Sequence, residues 1–396
     1  MRFIMKKILR FLLATLMVFP LYSCSGQNYE TIDTESSAAE SYESAAVNET
    51  SETETAEPET EAYTYDVIKM DVPGKVLYAG SQKYPYCAFP TLVETDDGIL
   101  CAWKQGVSHM GDESITSYMW MDKGGSVRET GLLAQVPGFN TQNAELLTMP
   151  DGTIRCYLDI QDYNNGKTRT GAIVYEYRNH TFERLPGILT DTDGKQYGYV
   201  FDGLEWQGRY WMLAMTFPEL DYPDARKSVE LLVSDDNGET WTDMLCLDTL
   251  LDASLNESTL AVFDNKLYIL CRGYDKKAHI AVLDEAFNLL DTAVYDKSLE
   301  IFNTGRPKLF VRDGNLYSIM RNHCTENSSM DLSILRINPE NLVIEKKVIL
   351  DAAKPSDGYY AEHYFVDDTF YLITYKPNAS ATPDITLLTF DWHEIR

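Results

Sequence analysis

The sequence predicts an all-β protein, a six-bladed β-propeller of four-stranded antiparallel blades. Short apolar runs separated by tight turns follow one another from about residue 66, and no long stretch has helical periodicity. One hairpin pattern, two apolar strands joined by a turn, recurs six times at a period of about 50 residues. The six turns begin at Asp97, Asp151, Gln207, Asp264, Asp313 and Asp367. A second hairpin follows each of them, so each period supplies the four strands of a blade.

The blades are expected to close into a ring because a single blade cannot bury the apolar residues on its two faces. A lone four-stranded sheet exposes both faces, and stacking six of them around an axis covers these faces. The segment Val76–Gly80, which precedes the first blade, is expected to add a strand to the last blade and lock the ring. An open array of β-sandwiches would not need so regular a period, and six turns oppose a five-bladed ring.

The N-terminal residues have the pattern of an export signal and are not expected to belong to the folded domain. Residues 2–10 carry four basic side chains, and an apolar run from Phe11 to Tyr22 follows that is short for a membrane span. The sequence Leu21-Tyr22-Ser23-Cys24 resembles the lipobox of bacterial lipoproteins. This resemblance implies a signal peptide over residues 1–24, a lipid on Cys24, and anchoring to the bacterial membrane at the cell surface or periplasmic face. An ordinary secretory signal is the alternative.

Residues 25–66 are predicted to be a disordered tether. They hold 12 acidic and 13 Ser or Thr side chains and no Lys or Arg. Such a composition buries too little apolar surface to offset chain entropy, and like charges extend it. The propeller is therefore assigned to residues 67–396.

Composition limits the partners. The whole chain has a net charge of −27, which opposes nucleic acid as a partner, because phosphate binding needs clustered Lys and Arg. The cysteines after Cys24 lack CxxC or zinc-ligand spacing, and most lie in apolar runs, which favours buried thiols over disulfides. No metal or organic cofactor is implied.

One turn carries a family signature. Ser234 to Trp241 reads S-x-D-x-G-x-T-W, in which an Asp can bind turn amides, a Gly can take positive φ, and a Trp can pack beneath. This turn resembles the Asp-box, or BNR repeat, of the sialidase (neuraminidase) superfamily, and a degraded copy lies at residues 121–125. The motif marks the fold and lies away from the active face in that family.

Strand direction predicts which residues share a rim. Strands alternate in direction within a blade, so one rim collects the starts of first and third strands and the ends of second strands. Eight polar residues are expected there: Asp112, Glu145, Asp159, Glu257, Arg272, Arg306, Arg321 and Tyr359.

The resemblance gives roles to some of them. Asn256-Glu257 with the later Arg272 is similar to the sialidase motif in which a Glu pairs with the catalytic Tyr and an Arg binds the substrate carboxylate. The segment Gly358-Tyr359-Tyr360 resembles the motif that carries the nucleophile, and counting from the next turn favours Tyr359. Gly111-Asp112 resembles the loop that supplies the acid/base.

One position departs from the family. Sialidases begin blade one with Arg-Ile-Pro, and that Arg belongs to a clamp of three arginines. This chain has Ala88-Phe89-Pro90 instead. Arg306 and Arg321 both remain candidates for the third arginine.

The hypothesis is a retaining exo-glycosidase that removes a terminal acidic sugar from glycans. Tyr359 would be the nucleophile, Glu257 its base, and Asp112 the acid/base. A neutral Tyr avoids the repulsion that a carboxylate nucleophile would meet from an anionic sugar. The alternatives are a non-catalytic glycan-binding propeller, which the missing Arg favours, and a glycosidase or lyase of the same superfamily for another sugar.

Overall fold

The computed structural model describes residues 64–111, 113–166, 168–223, 225–323, 330–354, 357–378 and 382–395. The predicted signal peptide, the lipidation site Cys24, most of the tether and the candidate acid/base Asp112 lie outside these ranges. Within them, no helix is long and apolar enough to cross a membrane.

Six sheets make up the described chain, and their strands are connected as the repeat predicts. Two strands precede the first blade: β1 (Asp66–Lys69) and β2 (Gly74–Tyr78). Blade one contains β3 (Tyr86–Thr95), β4 (Gly98–Gly106), β5 (Ser114–Met121) and β6 (Val127–Ala134). Blade two contains β7 (Phe139–Thr148), β8 (Ile154–Asp162), the short β9 (Thr168–Arg169), β10 (Ile173–Arg178) and β11 (Thr181–Arg184). Blade three contains β12 (Tyr199–Trp206), β13 (Arg209–Thr216), β14 (Ser228–Ser234) and β15 (Thr242–Cys246).

The remaining blades repeat the same order. Blade four contains β16 (Leu255–Phe263), β17 (Lys266–Gly273), β18 (Ala278–Leu283) and β19 (Leu289–Tyr295). Blade five contains β20 (Lys308–Arg312), β21 (Asn315–His323), β22 (Met330–Ile337) and β23 (Ile344–Ala353). Blade six contains β24 (Ala361–Val366), β25 (Thr369–Pro377) and β26 (Pro383–Asp391). The helical pieces are α1 (Leu247–Leu250) and two 3-10 turns, Lys297–Leu299 and Trp392–Glu394. The six-bladed all-β prediction is confirmed.

The N-terminal strands complete the last two blades. Strand β2 pairs antiparallel with β26 and supplies the fourth strand of blade six, as predicted for this segment. Lys75 Nζ of β2 also donates to the Gly125 carbonyl oxygen of blade one at 3.2 Å. Strand β1 adds a parallel fifth strand to blade five by pairing with β23. The ring is therefore closed by β2, which precedes blade one in sequence and completes blade six.

Apolar side chains from facing sheets form the core. Six buried clusters occur, one at each junction between neighbouring blades. Large rings such as Trp103, Trp211 and Trp392 are fully buried in them. This arrangement gives each blade the burial that it lacks alone. Cys87, Cys101, Cys156, Cys246 and Cys271 are free thiols.

The turn from Ser234 to Trp241 has the contacts that its sequence predicts. Asp236 accepts hydrogen bonds from the Thr240 backbone N–H at 2.8 Å and the Thr240 hydroxyl at 2.7 Å. Gly238 has φ 76°, and Trp241 is buried beneath the turn. A Cβ at Gly238 would lie 2.7 Å from Met149 Sδ, so both backbone conformation and packing require glycine there.

Candidate active site

A pocket of about 340 Å³ opens at one end of the ring. Its walls come from the starts of β7 and β16, the ends of β8, β17 and β21, and the residue before β24. This is the rim on which the alternation of strand direction places the polar residues. Fifteen residues line the pocket: Phe89, His109, Met110, Gln142, Asn143, Gln161, Arg169, Tyr199, Phe217, Asn256, Glu257, Arg272, Tyr274, Arg321 and Tyr360.

Four polar residues from three blades meet in this pocket. Arg272 Nη1 donates to Glu257 Oε2 at 2.5 Å and to the Tyr360 hydroxyl at 3.1 Å. Arg321 Nη2 lies 3.4 Å from the same hydroxyl, and the Arg321 guanidinium carbon lies 4.7 Å from the centre of the Tyr360 ring. The Tyr360 hydroxyl and Glu257 Oε2 therefore share one donor, Arg272 Nη1. The pocket thus surrounds one phenol with a carboxylate and two guanidinium groups.

Burial and neighbouring charges have opposite effects on the pKa values of Glu257 and Tyr360. Burial alone would raise the pKa of Glu257, but the Arg272 guanidinium beside it holds the pKa below its usual value. Burial raises the pKa of the Tyr360 phenol, although Arg321 opposes the rise. Glu257 is therefore an ionised acceptor beside a neutral phenol at neutral pH, which is the protonation state that a base and a latent nucleophile need.

Several buried polar atoms on the pocket wall have no hydrogen-bond partner within the described part of the chain. They are Arg321 Nε, Gln161 Oε1 and the Tyr199 hydroxyl. Such groups are costly when left unpaired, so the wall is suited to a ligand, or water, that carries several hydrogen-bonding groups.

The structure places Tyr359 elsewhere, which corrects the predicted pairing with Glu257. The Tyr359 side chain packs in the cluster between blades five and six, and its hydroxyl donates to Asp351 Oδ2 at 2.9 Å. The backbone explains the difference. Tyr359 has φ 68°, and β24 begins only at Ala361, so strand alternation counted back from the turn does not extend to this residue. Tyr360, the residue not chosen from the sequence, faces Glu257.

Arg306 does not line the pocket either. Its guanidinium donates to Glu145 and to the Phe201 carbonyl oxygen, and it lies 3.6 Å from Glu362. Lys308 joins this buried group through Glu362 at 3.0 Å. The predicted rim residues Glu145 and Arg306 therefore belong to an ion cluster built on the innermost strands. Arg321 is the blade-five arginine that reaches the pocket.

Arg169 and His109 are among the pocket residues that sequence analysis did not select. Arg169, on the short strand β9, donates to the buried Asp159 at 3.2 Å and lies over the Phe217 ring at 4.0 Å. His109 lies on the loop after β4, with Nδ1 2.5 Å from Asp357 Oδ2. Neither belongs to a recognisable motif. A positive charge at the end of a strand and a lone histidine before Gly111 were the only signals.

Blade one presents the aromatic ring of Phe89 next to the buried Ala88, which stands at the position of the arginine in the sialidase motif. Phe89 has φ 57° at a bulge in β3, and this conformation directs its ring into the pocket wall. The ring lies 5.0 Å from the His109 ring and 5.6 Å from the Tyr360 ring, centre to centre. Across the described residues no group of His, Cys, Asp or Glu is arranged to hold a metal ion.

Comparisons with known proteins reveal relatives in fold but not in sequence. No protein-family model matches the chain, and no curated protein matches it in sequence. A Dyadobacter fermentans protein of unknown function is similar over 83% of this chain and 99% of its own, with 17% identity and a TM-score of 0.63.

Two glycoside hydrolases are similar as well. A point variant of the NanB sialidase of Streptococcus pneumoniae matches over 83% of this chain and 71% of its own, with 11% identity and a TM-score of 0.58. The Penicillium chrysogenum α-L-arabinanase, bound to arabinobiose, matches over 82% of this chain and 99% of its own, with 8% identity and a TM-score of 0.56. At these identities the likeness concerns architecture. The chain has the six-bladed propeller fold that these sialidase and arabinanase structures also have.

Proposed function

We propose that this protein is a retaining exo-glycosidase that hydrolyses a terminal acidic sugar of a glycan, with Tyr360 as nucleophile. The observation that carries the proposal is the Tyr360 hydroxyl, which shares the donor Arg272 Nη1 with Glu257 and is also faced by Arg321. A phenol that is merely structural rarely has two guanidinium groups directed at its oxygen, one of them shared with a carboxylate, in an open pocket.

Charge argues for an anionic substrate. Among the described residues, three guanidinium groups, from Arg169, Arg272 and Arg321, line the pocket with one carboxylate, Glu257, although the whole chain has a net charge of −27. Guanidinium binds carboxylate with two parallel hydrogen bonds. Arg321 is suited to this task because its Nε has no partner among the described residues and its contact with Tyr360 is long.

The first step forms a bond between Tyr360 and the sugar. As the Tyr360 oxygen attacks the anomeric carbon, Glu257 accepts its proton, and the glycosidic oxygen leaves with a proton from an acid. Water then releases the sugar with retained configuration. Asp112, three residues beyond His109, remains the sequence-based candidate for that acid.

A second candidate is the same chemistry on a different sugar, and Phe89 favours it. The Phe89 ring offers a surface for an apolar sugar face, and Ala88, at the position of the arginine in the sialidase motif, makes no contact to a carboxylate. A pocket that makes fewer contacts to the carboxylate of an acidic sugar would also accept sugars without a carboxylate.

Hydrolysis of fluorogenic α-glycosides tests the proposal. The purified chain is given the 4-methylumbelliferyl glycosides of sialic acid, glucuronic acid and arabinose. We expect turnover of at least one acidic glycoside, abolished in Tyr360→Phe and kept in the matched control Tyr359→Phe. Glycan binding that survives Tyr360→Phe, without turnover by the wild type, would support the non-catalytic alternative instead.

A further inference from the structure

His109 and Asp357 form a hydrogen-bonded pair at the edge of the pocket. Asp357 Oδ2 lies 2.5 Å from His109 Nδ1 and also accepts from the Tyr86 hydroxyl, and Asp357 Oδ1 accepts from the Tyr375 hydroxyl at 2.8 Å. The hydrogen bond from His109 lowers the pKa of Asp357 to about 2, against burial, which would raise it. The carboxylate is therefore ionised and fixed by three donors.

The position of the Asp357 carboxylate determines which ring nitrogen of His109 is available for proton transfer. Because Nδ1 is bound to Asp357, Nε2 is the ring nitrogen left available for proton transfer. The His109 side chain is 45% exposed and lines the pocket, whereas that of Asp357 is 25% exposed. The orienting end of the pair, Asp357, is thus less exposed than the His109 end.

The surroundings hold the histidine beside the reacting groups. Phe89 contacts the rings of both His109 and Tyr360. The buried Lys104 Nζ donates to the His109 carbonyl oxygen at 2.6 Å and to Gln142 Oε1 at 2.6 Å. Asp357 lies three residues before Tyr360, so the pair joins the loop of blade one to the segment that carries the phenol.

We propose that His109, oriented by Asp357, is the acid/base of the reaction, an inference that rests on the proposed glycosidase function. In the first step the bond from the anomeric carbon to the leaving oxygen breaks, and His109 Nε2–H protonates that oxygen. Tyr360 bonds to the carbon and Glu257 takes the phenol proton. In the second step His109 takes a proton from water, the hydroxide attacks the carbon, and the Tyr360 oxygen leaves and recovers its proton from Glu257.

Leaving groups of different basicity test this role. The aryl group of an aryl glycoside leaves as a stable phenolate without help from an acid. The alkoxide of the corresponding alkyl glycoside must be protonated as it leaves. In His109→Gln, the kcat/KM of the alkyl glycoside should fall by about 10²-fold to 10⁴-fold, and that of the aryl glycoside far less. Asp357→Asn should show the same pattern with a smaller loss, as expected of a positioning residue.

The second step gives a readout that a structural defect would not mimic. With an aryl glycoside, His109→Gln should accumulate the glycosyl-enzyme, because water lacks its base. Sodium azide attacks without losing a proton, so it should restore turnover and yield a glycosyl azide of retained configuration. His393→Gln is the matched control, because His393 forms an exposed pair with Asp391 at 2.8 Å, and neither residue lines the pocket.

The outcomes separate the possibilities. Azide rescue in Asp112→Asn but not in His109→Gln would assign the role to Asp112 and overturn the inference. An unchanged His109→Gln enzyme, beside an inactive Tyr360→Phe enzyme, would overturn the role of His109 alone. A wild-type chain without activity on any glycoside would overturn the proposed function together with it.

Discussion

Tyr359 and Tyr360 are consecutive in the chain, yet the Tyr359 hydroxyl binds a carboxylate and the Tyr360 hydroxyl binds guanidinium groups. Tyr359 donates to Asp351 between two blades, and Tyr360 accepts in the pocket from Arg272, which also donates to Glu257. The positive φ of Tyr359 directs the two side chains apart, and the Tyr359 backbone N–H is fixed to the Tyr375 carbonyl oxygen at 2.9 Å. The catalytic proposal depends on this one turn of the backbone.

Arg321→Lys should weaken the binding of acidic sugars. Lysine keeps the charge but loses the planar pair of donors that matches a carboxylate. We expect KM for an acidic glycoside to rise about tenfold or more, with a smaller change in kcat. Steady-state kinetics of Arg321→Lys with the acidic glycoside and with a neutral glycoside of the same linkage tests this prediction. An equal loss on both substrates would contradict the carboxylate role.

Gly305→Ala should displace the side chains of Tyr360 and Arg321 and lower the activity. A Cβ at Gly305 would lie 2.5 Å from Tyr360 Cε1 and 2.7 Å from Arg321 Nε, closer than packed atoms allow. A shift of about 1 Å in a reacting group can cost about 10²-fold in rate, so we expect a loss of that order in kcat/KM. Gly124→Ala is the control, because its nearest contact would be 3.4 Å away. Full activity in Gly305→Ala would show that this packing does not position the site.

Removing β2 should destabilise the ring. Without residues 74–78, β26 becomes an exposed edge and blade six has three strands. Three truncations separate the contributions: removal of residues 1–63, 1–70 and 1–78. We expect the Tm to fall by several degrees more between the second and third than between the first and second. Equal Tm values for the last two would mean that β2 does not close the ring.

Glu362→Gln should stabilise the protein at alkaline pH. Burial, with Glu145 nearby, raises the pKa of Glu362 to about 7 despite its ion pair with Lys308. A raised pKa favours the folded state at low pH, and this stabilisation is lost as pH rises through about 7. The amide carries no such cost, and Lys308 keeps Glu145 and Asp202 as partners.

Thermal unfolding at two pH values checks this prediction. The Tm of Glu362→Gln should exceed that of the wild type at pH 8, and the gain should shrink at pH 5. Glu345→Gln, which removes a half-exposed ion pair with Arg336, should change the Tm little at either pH. A gain that is as large at pH 5 would contradict the assigned titration.

The repeat made the fold predictable, because six similar hairpins leave one compact way to bury their faces. Glu257, Arg272 and Arg321 could be placed on one rim because strand direction alone determines which end of a strand faces it. Tyr360 could not be chosen over Tyr359, since a single positive φ outside a strand reverses the alternation. Arg306 reached the expected end of its strand, but its side chain turned toward Glu145, a contact between distant blades that no local pattern encodes.

Mass-spectrometric mapping of a trapped glycosyl-enzyme tests the central claim most directly. A fluorinated glycosyl fluoride of the preferred acidic sugar forms the intermediate quickly and slows its hydrolysis, so the labelled peptide can be sequenced after digestion. We expect one sugar per chain, attached to Tyr360, and no label in Tyr360→Phe. A label on Glu257 or on Tyr359, or steady turnover of the parent glycoside with inversion and no covalent adduct, would contradict the account.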